Sequence, residues 1–88
     1  MGQRMPDERP WPRYRSHKIV SALRIMTTTP YPDGCVLVTF DGHPALKLDA
    51  KMVVRYQPVA HDYLVEYEDG YRSISPRTAF EAGYTRIE

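Results

Sequence analysis

The chain has 88 residues, a formal net charge of +1 at pH 7 and a hydrophobic fraction of 42%. A chain of this length forms at most one small domain, and none of its apolar runs approaches the roughly 20 residues of a membrane-spanning helix. Its single cysteine, Cys35, excludes an internal disulfide, and residues 1–10 lack the apolar core of a secretion signal. We therefore expect a cytoplasmic protein.

The N-terminus is basic and rich in proline. Residues 1–18 carry five basic and two acidic side chains, whereas residues 19–88 carry seven basic and nine acidic ones. The first of these segments shows neither helical nor strand periodicity. We predict a flexible basic arm over residues 1–16 and a single folded domain over residues 17–88.

An aromatic and basic segment lies inside this arm. It contains Trp11, Arg13, Tyr14 and Arg15, and Lys18 follows shortly after it. Such side chains can stack on nucleic-acid bases, or they can dock on the protein's own domain and cover an open sheet edge. Both interpretations stay open from the sequence.

Alternating apolar residues predict a strand directly after the arm. This strand covers residues 18–27 and places Ile19, Leu23 and Ile25 on one face. A helix would also group several of these side chains, but the β-branched content favours a strand.

Two further strands are predicted between clusters of turn residues. The run from Cys35 to Phe40 is the most apolar, which is typical of an interior strand covered on both faces. We expect Cys35 to act as a small hydrophobic residue there. A short strand at residues 45–48 follows. The side chains expected to face the core from these two strands are Val36, Val38, Phe40, Leu46 and Leu48.

A short helix is predicted after the third strand. Asp49 is suited to cap a helix over residues 50–56, because its carboxylate can accept a hydrogen bond from a free backbone N–H of the first turn. Met52, Val53 and Tyr56 then form one apolar stripe.

Asp69-Gly70 separates two apolar runs and predicts a β-hairpin with a two-residue turn. This register pairs Tyr67 with Arg72 and Val65 with Ile74, so Arg72 would lie over the Tyr67 ring. It also places Tyr63, Val65, Tyr67 and Ile74 on one face. The other face would carry Leu64, Glu66, Glu68, Tyr71 and Ser73.

The hairpin leads into a second short helix. Ser75 is predicted to cap this helix, with Pro76 at its first position. Gly83 is predicted to end it in a left-handed conformation, with Tyr84 folding back on Ala79. The whole pattern predicts an α+β domain with a small curled antiparallel sheet of four or five strands and two short helices.

The sequence contains no pattern typical of catalysis or metal binding. Neither a nucleophile beside a base nor a phosphate-binding glycine loop is present, and His17, His43 and His61 match no zinc spacing. Glu66 and Glu68 are better explained as a solvated hairpin end than as paired catalytic carboxylates. We therefore expect a protein that is not an enzyme and uses no cofactor or metal.

A Tyr-Glu-Asp-Gly-Tyr motif at residues 67–71 is followed by Ser75-Pro76 and by Phe80-Glu81-Ala82-Gly83-Tyr84. This pattern resembles the ending of a family of small uncharacterised phage- and prophage-encoded proteins. Relatives often carry glycine before the hairpin, where this chain has residues 60–62, so we expect a different entry turn here. The resemblance implies a phage or prophage gene expressed in the bacterial cytoplasm, and it implies no activity.

Seven tyrosines against two phenylalanines favour a protein-binding role, because tyrosine is enriched at protein interfaces. The leading hypothesis is a non-enzymatic phage accessory module that binds a host or phage protein through an exposed sheet face or edge. One alternative is a nucleic-acid-binding protein that uses the arm, and another is a minor self-associating structural protein. The candidate binding residues are Trp11, Arg13, Tyr14, Arg15, Lys18, Glu68 and Tyr71.

Overall fold

The computed structural model describes residues 18–87, so the predicted arm and its boundary with the domain at residue 17 lie outside the described residues. The elements are β1 (Ser21–Pro30), β2 (Val36–Phe40), β3 (His43–Leu48), α1 (Ala50–Tyr56), β4 (Tyr63–Glu66), β5 (Arg72–Ser75) and α2 (Arg77–Gly83). The strands form one antiparallel sheet in the order β3-β2-β1-β4-β5. The predicted α+β architecture is confirmed.

The hydrophobic core lies on the sheet face that α1 covers. Ile25 of β1 and Val38 of β2 are completely buried at its centre. The inward residues predicted for β2 and β3 are confirmed, since all of them belong to this cluster or pack against it. In the first strand, Ile19 does not share the buried face predicted for it together with Leu23 and Ile25. Its side chain is 59% exposed, because it precedes Ser21, the first paired residue of β1.

Helix α1 has the predicted bounds and the predicted cap. The Asp49 carboxylate accepts a hydrogen bond of 2.9 Å from the backbone N–H of Met52. The helix ends at Gln57, which adopts a left-handed conformation with φ of 47°. Met52, Val53 and Tyr56 pack against the core, as the predicted apolar stripe requires.

Replacing Asp49 with alanine is expected to lower the free energy of unfolding by about 1 kcal/mol, because an N–H of the first turn loses its partner. Urea denaturation of the two proteins measures this difference. Asp49→Ser supplies a hydroxyl that can replace the carboxylate and should recover most of the loss. A loss of the same size in both variants would show that the cap is not the cause.

The hairpin between β4 and β5 has a register one residue away from the predicted one. Leu64 pairs with Ile74 and Val65 pairs with Ser73. The loop contains three residues, 68–70, and the Tyr67 N–H donates to the carbonyl oxygen of Tyr71 at 2.8 Å. Only the glycine of this loop has a positive φ, whereas the predicted two-residue turn requires two such residues.

This shift changes the faces of the hairpin. Ile74 lies with Leu64 on the core face, and Val65 is buried on the opposite face. Arg72 lies opposite Glu66 and forms an ion pair of 3.0 Å with it, so its predicted position over Tyr67 is wrong.

The predicted signals at both ends of α2 are also wrong. Ser75 belongs to β5, and the residue that precedes the helix, Pro76, provides no side-chain cap. The buried carboxylate of Asp62 accepts the Arg77 N–H instead, at 3.2 Å. At the other end Gly83 does not adopt a positive φ, and the helix is followed by extended backbone.

The turn before β4 requires an unusual backbone conformation. His61 has φ of 80°, in the region that favours glycine. Its N–H donates to the carbonyl oxygen of Ile25 at 2.7 Å, and its Nδ1 lies 3.0 Å from an Arg24 guanidinium nitrogen. The entry turn therefore accommodates histidine in a glycine-like conformation held by contacts with β1.

Candidate binding groove and open sheet face

Three of the predicted binding residues, Lys18, Glu68 and Tyr71, meet in one place. They line an open groove of about 500 Å³ between the start of β1 and the β4–β5 loop. The groove is completed by Ile19, Tyr67 and Asp69. The other predicted candidates, Trp11, Arg13, Tyr14 and Arg15, lie outside the described residues.

Two tyrosine rings form one side of this groove. The centroids of Tyr67 and Tyr71 are 5.9 Å apart, and the Lys18 ammonium lies 5.7 Å from the Tyr67 centroid. The Tyr71 hydroxyl lies 3.3 Å from that of Tyr56, and this hydrogen bond is the main reason why the Tyr56 pKa is raised. The α1 side chain thus supports a Tyr71 ring that is still 51% exposed.

The two carboxylates of the groove have different roles. Asp69 Oδ1 accepts the Tyr71 N–H at 3.0 Å and stabilises the loop. Glu68 is exposed and makes no hydrogen bond or ion pair within residues 18–87. A free carboxylate beside two aromatic rings is suited to a cationic side chain, which can form an ion pair and a cation–π contact together.

A second surface was not identified from the sequence. It is the face of β1, β2 and β3 opposite the core, and we call it the open sheet face. The residues of this face alternate along each strand with the residues that face the core. Across the strands they pair with one another, and they are Thr27, Thr29, Leu37, Thr39 and Lys47. The sequence predicted β2 to be covered on both faces, but α1 packs on the core side and Leu37 and Thr39 remain half-buried.

One end of the open sheet face carries a charged and aromatic cluster. Lys47 Nζ lies 4.8 Å from the Tyr31 ring centroid and 3.6 Å from Asp33 Oδ2. The Asp33 pKa is lowered, mainly by the hydrogen bond from the Cys35 N–H. Desolvation raises the pKa of the Cys35 thiol, so this side chain stays uncharged, as expected for a small hydrophobic residue.

Helix α2 packs beside β4 through a ladder of aromatic rings. Tyr63 stacks on Phe80 with centroids 4.2 Å apart, and Phe80 stacks on Tyr84 at 4.6 Å. The Tyr84 ring therefore packs on Phe80, whereas the prediction placed it on Ala79. The Tyr63 hydroxyl donates to Glu81 Oε2 at 2.8 Å. This bond is the main cause that raises the Tyr63 pKa and lowers the Glu81 pKa.

The Tyr63–Glu81 bond predicts a pH-dependent contribution to stability. Because the Glu81 pKa is lowered by folding from its ordinary value of 4.5, the contribution is present above that value and is lost as the pH falls through the lowered pKa. Glu81→Gln should therefore be less stable than the wild type at pH 7, and the difference should disappear in acid. Urea denaturation across this range measures it. Tyr63→Phe removes the donor of the same bond and should show the same trend, whereas a difference that persists in acid would contradict this role of the bond.

The described residues reveal no metal site and no membrane helix. No group of three or more His, Cys, Asp and Glu side chains within residues 18–87 is placed to hold a metal ion. Over the same residues, neither helix is long and apolar enough to cross a membrane.

Comparison with known proteins finds a structural similarity to a phage protein. No protein-family model matches the chain, and no curated protein sequence does. The chain is similar to the phage L decoration protein, whose monomeric form was solved by NMR, with a TM-score of 0.63 and 32% sequence identity. The match covers 91% of this chain and 63% of that protein, so this chain spans less than two thirds of its length. The similarity supports a phage protein, whereas the C-terminal motif behind that expectation stays untested.

Proposed function

We propose that this protein is a non-enzymatic phage accessory or structural protein that binds a phage capsid protein. The observation that carries this proposal is the 32% identity to the phage L decoration protein over 91% of the chain. Among the functions considered from the sequence, it favours protein binding and a structural role over nucleic-acid binding. Association with the capsid would also place the protein on the phage particle rather than free in the cytoplasm.

The open sheet face is the surface that suits this role. A stable protein interface covers about 800 Å² on each partner, so it must extend over several neighbouring strands rather than over one groove. Leu37 lies at the centre of the face, between Thr29 and Lys47 in the cross-strand pairs. Tyr31 at its end is of a residue type enriched at interfaces, and Lys47 beside it suits the polar rim of one.

Co-sedimentation with capsids of the encoding phage tests this function. The purified chain should sediment with intact capsids and reach saturation at a fixed number of copies per particle. It should remain in the supernatant with capsids of an unrelated phage. Absence of binding to the cognate capsid, or salt-sensitive binding to DNA in place of capsids, would overturn the proposal.

Two variants then test the surface. Leu37→Glu is expected to weaken capsid binding at least about tenfold, since a charge in the centre of an interface costs more than about 1.4 kcal/mol. Val54→Glu is the matched control, because Val54 is 75% exposed on α1 and away from the open sheet face. Thr29→Glu, at an exposed position, provides a second test in case Leu37→Glu is poorly folded. Equal binding by all three would place the interface elsewhere.

A further inference from the structure

The groove beside the β4–β5 loop has properties that the capsid-binding proposal does not use. It combines the Glu68 carboxylate, which has no partner among residues 18–87, with the rings of Tyr67 and Tyr71, and it exposes 59% of Ile19 and 51% of Tyr71. A groove of this chemistry favours a segment in which cationic and aromatic side chains are close together.

Such a segment precedes the groove in the same chain. Residues 11–15 read Trp-Pro-Arg-Tyr-Arg, and the chain enters the described structure at Lys18, which itself lines the groove. Arg15 is three residues before Lys18 and Arg13 is five before it, so an extended chain places them within about 10 Å and about 17 Å of Lys18. Both arginines can therefore reach the groove.

We propose that the groove binds the basic and aromatic part of the protein's own N-terminal arm, with Arg13 and Arg15 against Glu68 and the two tyrosine rings. Charge complementarity favours this occupant, since the arm is basic and the residues after it are acidic on balance. The short link to Lys18 also gives the arm an effective concentration in the millimolar range at the groove. A separate partner would have to compete with this concentration.

Amide NMR spectra of the full chain test this contact. In Arg13→Gln/Arg15→Gln, the backbone amide resonances of residues 67–71 should shift, and the wild type should show the same shifts at 1 M salt. Salt acts because the screening length falls from about 10 Å at 0.1 M to about 3 Å at 1 M. The matched control is Arg4→Gln/Arg9→Gln, which removes the same charge from the distal arm and should leave these resonances in place. Equal shifts in both pairs, or none, would overturn the proposal.

The fluorescence of Trp11, the single tryptophan, reports the same contact from the arm. Glu68→Gln should expose Trp11 to acrylamide quenching, because the arm loses its ion pair. Ala45→Lys changes the net charge equally at an exposed position of β3 and should not alter the quenching. A Glu68→Gln variant that changes only capsid binding, with quenching unaltered, would assign the groove to the partner and overturn this contact. Capsid binding through Leu37 is measured separately, so the two proposals fail independently.

Discussion

Replacing Ile25 with alanine is expected to lower the free energy of unfolding by about 3 kcal/mol. Ile25 is completely buried in the core cluster and belongs to β1, the central strand of the sheet. The substitution removes three buried carbon atoms and leaves a cavity that the surrounding β-strands cannot fill. Domains of this size have small total stability, so urea denaturation should show a large shift of the midpoint with little change in slope.

Ile19→Ala provides the matched control for this substitution. Ile19 has the same side chain and is 59% exposed just before the same strand. Its replacement should change the free energy of unfolding by less than about 0.5 kcal/mol, as is usual for surface positions. Losses of similar size at the two positions would contradict the assignment of the core to the face covered by α1.

Replacing Asp62 with alanine should lower the free energy of unfolding by about 2–4 kcal/mol, because two backbone N–H groups lose a charged acceptor. The Asp62 carboxylate accepts the N–H of Val59 at 3.1 Å through Oδ2 and the N–H of Arg77 at 3.2 Å through Oδ1. Its side chain is buried and joins the turn before β4 to the start of α2. The loss should therefore also detach α2.

Urea denaturation measures the overall effect, and amide hydrogen exchange at residues 80–84, whose N–H groups bond within α2, reports the detachment of the helix. Asp69→Ala is the matched control, since Asp69 accepts one backbone N–H, that of Tyr71, at an exposed position. That change should cost about 1 kcal/mol or less. Asp62→Asn retains one oxygen acceptor, so its free energy of unfolding should lie between those of Asp62→Ala and Asp69→Ala. An Asp62→Ala protein as stable as Asp69→Ala would show that the buried carboxylate does not hold the helix.

The strands and α1 could be predicted from the sequence because their signals are local. The alternation of Val36, Val38 and Phe40 requires only that one sheet face be buried, and the structure confirms this prediction. The Asp49 cap also held, because its carboxylate acts on a backbone group three residues away. Neither signal depends on a distant element.

The hairpin register and the cap of α2 were harder to predict, because the same residues are compatible with more than one local structure. Asp69-Gly70 fits both a two-residue and a three-residue loop, and burial of Ile74 beside Leu64 decides for the latter. Ser75 was a reasonable cap by local rules, but it is required in β5, and Asp62 acts from 15 residues away.

The candidate surfaces divide in the same way. Glu68 and Tyr71 are neighbours because of the local hairpin, whereas only the pairing of β1 with β4 brings Lys18 to the same groove. The sequence also contains a signal for the open sheet face, because the alternation that predicts Val36 and Val38 as buried implies that Leu37 faces the opposite side of the sheet. This signal does not show whether that side is covered. Whether a helix covers that opposite face depends on the path of the chain after β3 and β5.

Local patterns in the sequence are enough to predict the element types, the core face of β2 and β3, and the ends of α1, because each depends on interactions within a few residues. The hairpin register, the cap of α2 and the position of the groove can be read only from the folded chain. Each of these requires groups that are distant in the chain to satisfy a hydrogen bond or to bury an apolar side chain together.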